Sequence, residues 1–135
     1  MGKGSCYCGK VSFTYEGEPL NKAICHCTDC QKISGSAYTT NIIVPVEGFN
    51  ISGTPKKYSA KAATGREVTT VFCGDCGSPL WREGEMSKDT LVVRAGSLDD
   101  KGALTAAKPL AEVYTNDRAG WLGEQEGTKQ FPEMF

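Results

Sequence analysis

Six consecutive residues, CHCTDC from Cys25 to Cys30, hold three of the chain's seven cysteines and its single histidine. Nothing else in the sequence restricts the fold as strongly, because the other four cysteines also come in tight pairs, Cys6-x-Cys8 and Cys73-x2-Cys76. Thiols one residue apart make poor disulfide partners, whereas on extended backbone residues i and i+2 project to the same side. The odd total argues against a disulfide framework as well. The spacing instead suits metal ligation. Closed structural zinc sites take four protein ligands, and sites that keep a position for water or substrate take three. Seven thiols therefore divide into four plus three.

The triplet Cys25, Cys27 and Cys30 is local enough to grip one ion unaided. The outer pairs are each half a site, and joining Cys6 and Cys8 to Cys73 and Cys76 closes a four-thiolate site that clips the N-terminus to the middle of the chain. A rival partition lends the triplet a fourth sulfur from an outer pair and moves the open position elsewhere. A third reading has both ions merely stapling the fold. His26 lies between two ligands, so on extended backbone its side chain points away from the ion and counts as a pocket residue.

At 135 residues the expectation is one domain, 1–135. The run MGKGSCYCGK lacks the apolar stretch of a secretory leader, and no segment is apolar for long enough to span a membrane, so a cytoplasmic protein is expected. Fifteen basic residues stand against sixteen acidic ones. The nearest thing to a basic cluster, Lys56, Lys57 and Lys61, is too small to suggest nucleic-acid binding. Sixteen glycines imply many turns. Strand-like runs are expected at Val11–Tyr15, Tyr38–Val44, Phe49–Ile51, Lys57–Ser59, Glu67–Phe72, Pro79–Trp81, Leu91–Arg94 and Glu112–Tyr114. Pro45 should mark a strand end or an edge. Helical signals are confined to single turns at Thr28–Ile33, stopped by Gly35, and at Leu98–Lys101 and Asp117–Leu122. The expected fold class is mainly β, with small antiparallel sheets pinned by zinc.

The stretches GSCYCGKVSF, CHCTDCQKISGS, SGTPKKY, FCGDCGSPLW and NDRAGW, in this order, resemble the glutathione-dependent formaldehyde-activating enzymes, a family grouped with centromere protein V. The resemblance covers most of the chain. It implies a metal-pinned β domain similar to a zinc-binding chaperone of small GTPases, and two zinc ions per chain. Cys6, Cys8, Cys73 and Cys76 match the family's structural site; Cys25, Cys27 and Cys30 match its catalytic site. The implied activity is carbon–sulfur lyase chemistry, the formation or cleavage of S-(hydroxymethyl)glutathione from glutathione and formaldehyde or of a related sulfur metabolite.

An open position on a three-thiolate zinc would accept an incoming thiol and favour its thiolate, which then attacks a carbonyl carbon. The expected partner is thus a small-molecule thiol. His26, Lys32, Ser34, Ser36, Trp81 and Trp121 are candidate pocket residues, and Lys32, Arg82 and Arg118 are candidate partners for the carboxylates of glutathione. The alternative is a zinc-pinned binding or chaperone module without turnover. A chromatin-associated zinc domain fits the near-neutral charge less well.

Overall fold

The chain breaks into short extended runs because β-branched and aromatic residues recur between glycine-, proline- and serine-rich turns. The structure, a computed structural model, describes residues 1–62 and 64–135. Strands β1 (Gly2–Ser5), β2 (Ser12–Tyr15) and β5 (Asn50–Ser52) form a three-stranded antiparallel sheet in the order β1-β2-β5. The larger sheet uses β3 (Asn21–Cys25), β4 (Thr39–Pro45), β6 (Lys56–Lys61), β7 (Glu67–Phe72), β8 (Pro79–Glu83), β9 (Thr90–Arg94), β10 (Ala111–Val113) and β11 (Lys129–Gln130). Its order is β11-β10-β3-β4-β9-β8-β7-β6. Pairing is antiparallel except at one edge, where β10 runs parallel to both β3 and β11. The helices are short: α1 (Thr28–Ser34), α2 (Ala103–Ala106) and 3-10 turns at Ala95–Ser97 and Thr115–Asp117. No helix among the described residues is long and apolar enough to cross a membrane.

Strand β4 sits in the middle of the large sheet, and its sequence TTNIIVP is buried almost throughout. A central strand covered on both faces reads as a continuous apolar run, and Pro45, which cannot donate to the ladder, is its last residue. The pleat then sorts its residues. Ile42 and Val44 join Leu91, Val93 and Trp81 on one face, packed against Phe13 of the small sheet and Phe49. There Phe13, Phe49 and Trp81 meet with ring centroids 5.1–5.6 Å apart, the spacing of edge-on and offset aromatic pairs. Asn41 and Ile43 project to the opposite face, with Ala23 and Cys25 of β3, Val92 and Arg94 of β9, and Val113 of β10. One face is therefore core, and the other carries cysteine and arginine.

Two expected turns are displaced. The helical turns bracket Leu98–Lys101 rather than occupying it, and the turn foreseen at Asp117–Leu122 is a 3-10 turn that ends at Asp117.

Candidate metal centre

Cys25 is the last residue of β3, and two residues later the chain turns into α1. Cys27 is the N-cap of that helix, its sulfur accepting the Cys30 N–H at 3.3 Å. The cap fixes Cys27 and Cys30 together, while pairing with β4 and β10 fixes Cys25. The three sulfurs lie within 4.8 Å of one another and could hold a metal ion. Cys25 and Cys30 are buried, whereas Cys27 is half-buried and gives the cluster its exposed side. The thiols of Cys25 and then Cys27 hold the Cys30 sulfur down to about 2, and hydrogen bonding with Cys27 and then Cys30 pushes Cys25 up. A cation is the natural counterpart of such a cluster.

The second cluster joins Cys6 and Cys8, after β1, to Cys73 and Cys76, after β7. Sulfur–sulfur distances are 3.6 Å for Cys6–Cys8 and 3.7 Å for Cys8–Cys73. Four sulfurs arranged ~2.3 Å from a central zinc would stand about 3.8 Å apart, whereas a disulfide needs ~2.05 Å. The donor set and its spacing therefore fit a tetrahedral ion. Val11 N–H points at the Cys6 sulfur at 3.3 Å, and Ser78, by its hydroxyl and then its N–H, holds Cys76 down to about 5. Gly77 closes the Cys73–Cys76 turn at φ 79, a left-handed conformation that side-chain-bearing residues resist.

On the outer face of the sheet a small cavity of about 20 Å³ is walled in part by Cys25, Cys30, Glu85 and Arg94. Glu85 is half-buried, its desolvation raises its pKa, and the guanidinium of Arg82, 3.0 Å away, opposes that rise. A larger cleft of about 510 Å³ runs along α1 between Asp29, Lys32 and Ile33 on one side and Tyr58, Lys61, Phe72 and Arg82 on the other. Pockets of roughly 300–1,000 Å³ accept small organic ligands.

The model of a protein family described as "Glutathione-dependent formaldehyde-activating enzyme" matches residues 1–117. The chain belongs to this family. A solved structure, the crystal structure of a Rhodobacter sphaeroides protein from a structural-genomics effort, is similar with a TM-score of 0.61 and 19% identity. It covers 79% of this chain and 96% of that one. At that identity the likeness shows the fold. No curated protein matches the chain.

For this formaldehyde-activating-family chain the seven cysteines fall into the two groups expected from their spacing. The pocket candidates scatter. Lys32 and Arg82 border the same cleft, but Arg118 is elsewhere, bonded to Gln130 and Glu112. Trp81 lies away from the triad, because the pleat turns it to the aromatic core face, where it also borders a separate cleft with Phe49 and Glu83, and presents Arg82 to the other. Trp121 is 78% exposed and borders neither the cavity nor the cleft. Ser34 uses its hydroxyl within α1, donating to Cys30 O at 2.7 Å and accepting the Ser36 N–H at 3.1 Å; neither serine borders the cavity or the cleft. His26 is buried, its Nε2 2.7 Å from Glu112 Oε1, and it borders neither the cavity nor the cleft. Glu85, Arg94, Asn41 and Thr39 were not foreseen. A charge closing an otherwise apolar strand, as Arg94 closes TLVVR, was the one sign available.

Proposed function

We propose that this chain is a zinc-dependent enzyme that forms or cleaves the carbon–sulfur bond of a thiol adduct, with S-(hydroxymethyl)glutathione, or a related sulfur metabolite, as its substrate class. The reading is carried by one observation: three cysteine sulfurs within 4.8 Å of one another, one of them half-buried, beside a fourfold cluster that has a full ligand set of its own. Family membership supports the glutathione assignment.

Cys25, Cys27 and Cys30 would hold the reactive zinc; Cys6, Cys8, Cys73 and Cys76 would hold a structural one. When bound at the triad, zinc supplies stabilisation of a thiolate and Lewis acidity toward oxygen. The chain's own residues do the rest. The cleft along α1 receives the body of the thiol, where the exposed Lys32 and Lys61 offer ammonium groups to peptide carboxylates. Arg82 contributes less to that charge, because it is buried against Glu85. Tyr58 and Phe72 give the cleft its apolar wall. Burial of Cys25 and Cys30 keeps bulk water from the inner side of the triad.

The test is two-dimensional exchange NMR on glutathione and formaldehyde with zinc-loaded protein. Exchange should run faster than in the protein-free mixture, and Cys27→Ala should abolish the gain while leaving the circular dichroism spectrum unchanged. Zinc-loaded wild-type protein that leaves the exchange rate at its protein-free value removes this reading.

A further inference from the structure

Arg94 ends β9 on the same sheet face as the sulfur triad, and nothing above assigns it a task. The residue is only 7% exposed. Its Nη1 donates to Asn41 Oδ1 at 2.5 Å and to Thr39 Oγ1 at 3.3 Å. Its Nη2 is sealed from solvent and has no hydrogen-bond partner among the described residues. Buried charged donors are almost always paired, so an unpaired one requires an explanation. The carboxylate that shares the cavity wall, Glu85, is paired by charge with Arg82 at 3.0 Å and makes no hydrogen bond to Arg94, its own Oε2 also lacking a hydrogen-bond partner among the described residues. Arg94 does border the cavity of about 20 Å³ that Cys25 and Cys30 also line. A space that small admits a group about the size of one water molecule.

We propose that Nη2 of Arg94 is the donor that receives the oxygen of a one-carbon carbonyl at the triad, an inference that rests on the thiol-adduct reading. In adduct formation the lone pair of the substrate's thiolate sulfur makes the new bond to the carbonyl carbon. The C=O π pair moves onto oxygen, which Arg94 meets with a hydrogen bond that strengthens as negative charge grows. That oxygen then takes from water the proton the thiol had released, leaving a hydroxymethyl thioether; cleavage reverses each step. Asn41 and Thr39 are positioning residues, holding one arm of the guanidinium through Nη1 at the wall of the cavity that Arg94 borders.

The experiment pairs Arg94→Lys with arginine-selective 15N labelling. Lysine keeps the charge but gives up the planar fork. Arg94→Lys should retain full metal content and wild-type glutathione affinity, while kcat for formaldehyde exchange falls about 100-fold at an unchanged KM for glutathione. In wild-type protein, formate, a one-carbon oxyanion, should shift the guanidinium resonance that disappears in Arg94→Lys. A variant that exchanges at the wild-type rate overturns the proposal. So does a variant that loses its metal, since Arg94 would then be a counter-charge to the thiolates, and so does a wild-type resonance that formate leaves in place. If formate moves the resonance but wild-type protein exchanges no glutathione with formaldehyde, the oxygen-donor role stands and the thiol-adduct reading fails.

Discussion

Glu112, 1% exposed in the middle of β10, shows how far one side chain can be separated in sequence from what it holds. Its carboxylate accepts from Gln125 N–H at 2.7 Å, Thr128 Oγ1 at 3.0 Å and Gln130 Nε2 at 3.1 Å, and meets His26 Nε2 at 2.7 Å. Burial works to raise its pKa, but the Gln125 N–H, His26, Gln130 and Thr128 outweigh it and hold the group at about 2. The stabilisation is therefore complete above the ordinary value of 4.5 and is lost as pH falls from there through about 2. Glu112→Gln should cost roughly 2 kcal/mol at neutral pH, the scale of hydrogen bonds to a charged group. Urea titrations at decreasing pH should show the variant and the wild type converging below pH 4.5. A constant gap across the titration would mean that Glu112 acts through packing rather than charge.

At the scale of elements, α1 is the piece on which the triad depends. It is too short to be stable alone, so its two ends decide its geometry. Cys27 closes the first turn, and Gly35 closes the last at φ 68, with its N–H on Gln31 O at 2.9 Å. A Cβ at position 35 would meet nothing within 4 Å, so Gly35→Ala isolates the backbone penalty of a left-handed residue. We expect a loss of about 1 kcal/mol in thermal or urea melts, together with faster release of the triad's metal to a chelator. Unchanged release would separate helix closure from metal retention. Much of this element was legible beforehand, because Thr28–Ile33 with Gly35 behind it carries its own stop signal, and the β-branched runs around Val44, Val71 and Val93 likewise announce strands. The NKAIC run of β3 was not, since two polar residues and an alanine give little strand preference. Its place in the sheet comes from pairing with β4 and β10. The parallel edge was equally hidden, as β10 and β11 are three and two residues long and exist only through their neighbours. The cysteine grouping could be read because ligand spacing is local. The Arg94 cavity could not, because Cys30, Asn41, Glu85 and Arg94 meet only once the sheet is assembled.

For the whole molecule, the two cysteine clusters are unequal in what they connect. The fourfold cluster ties residues 6 and 8, next to the small sheet, to residues 73 and 76, next to β7 of the large one. The Cys8–Cys73 contact spans 65 positions, and a clip across so long a loop removes far more freedom from the unfolded chain than one confined to Cys25–Cys30. Structural zinc contributes ~10–16 kcal/mol in small zinc domains, comparable to the ~5–15 kcal/mol that separates folded from unfolded protein. Loss of an ion held there should therefore unfold the chain, whereas loss of one held by the triad should leave the sheets standing. Purified protein should carry two zinc ions, one yielding to mild chelation with little change in circular dichroism and the other only together with the fold. Cys73→Ala should be insoluble or molten, and Cys27→Ala folded with one equivalent of metal. Equal damage from both substitutions would make both ions structural and remove the physical basis for chemistry at the triad. A folded Cys27→Ala protein with half the metal would show that the fold survives without the Cys27 cap, and would place the reactive position on the exposed side of the cluster.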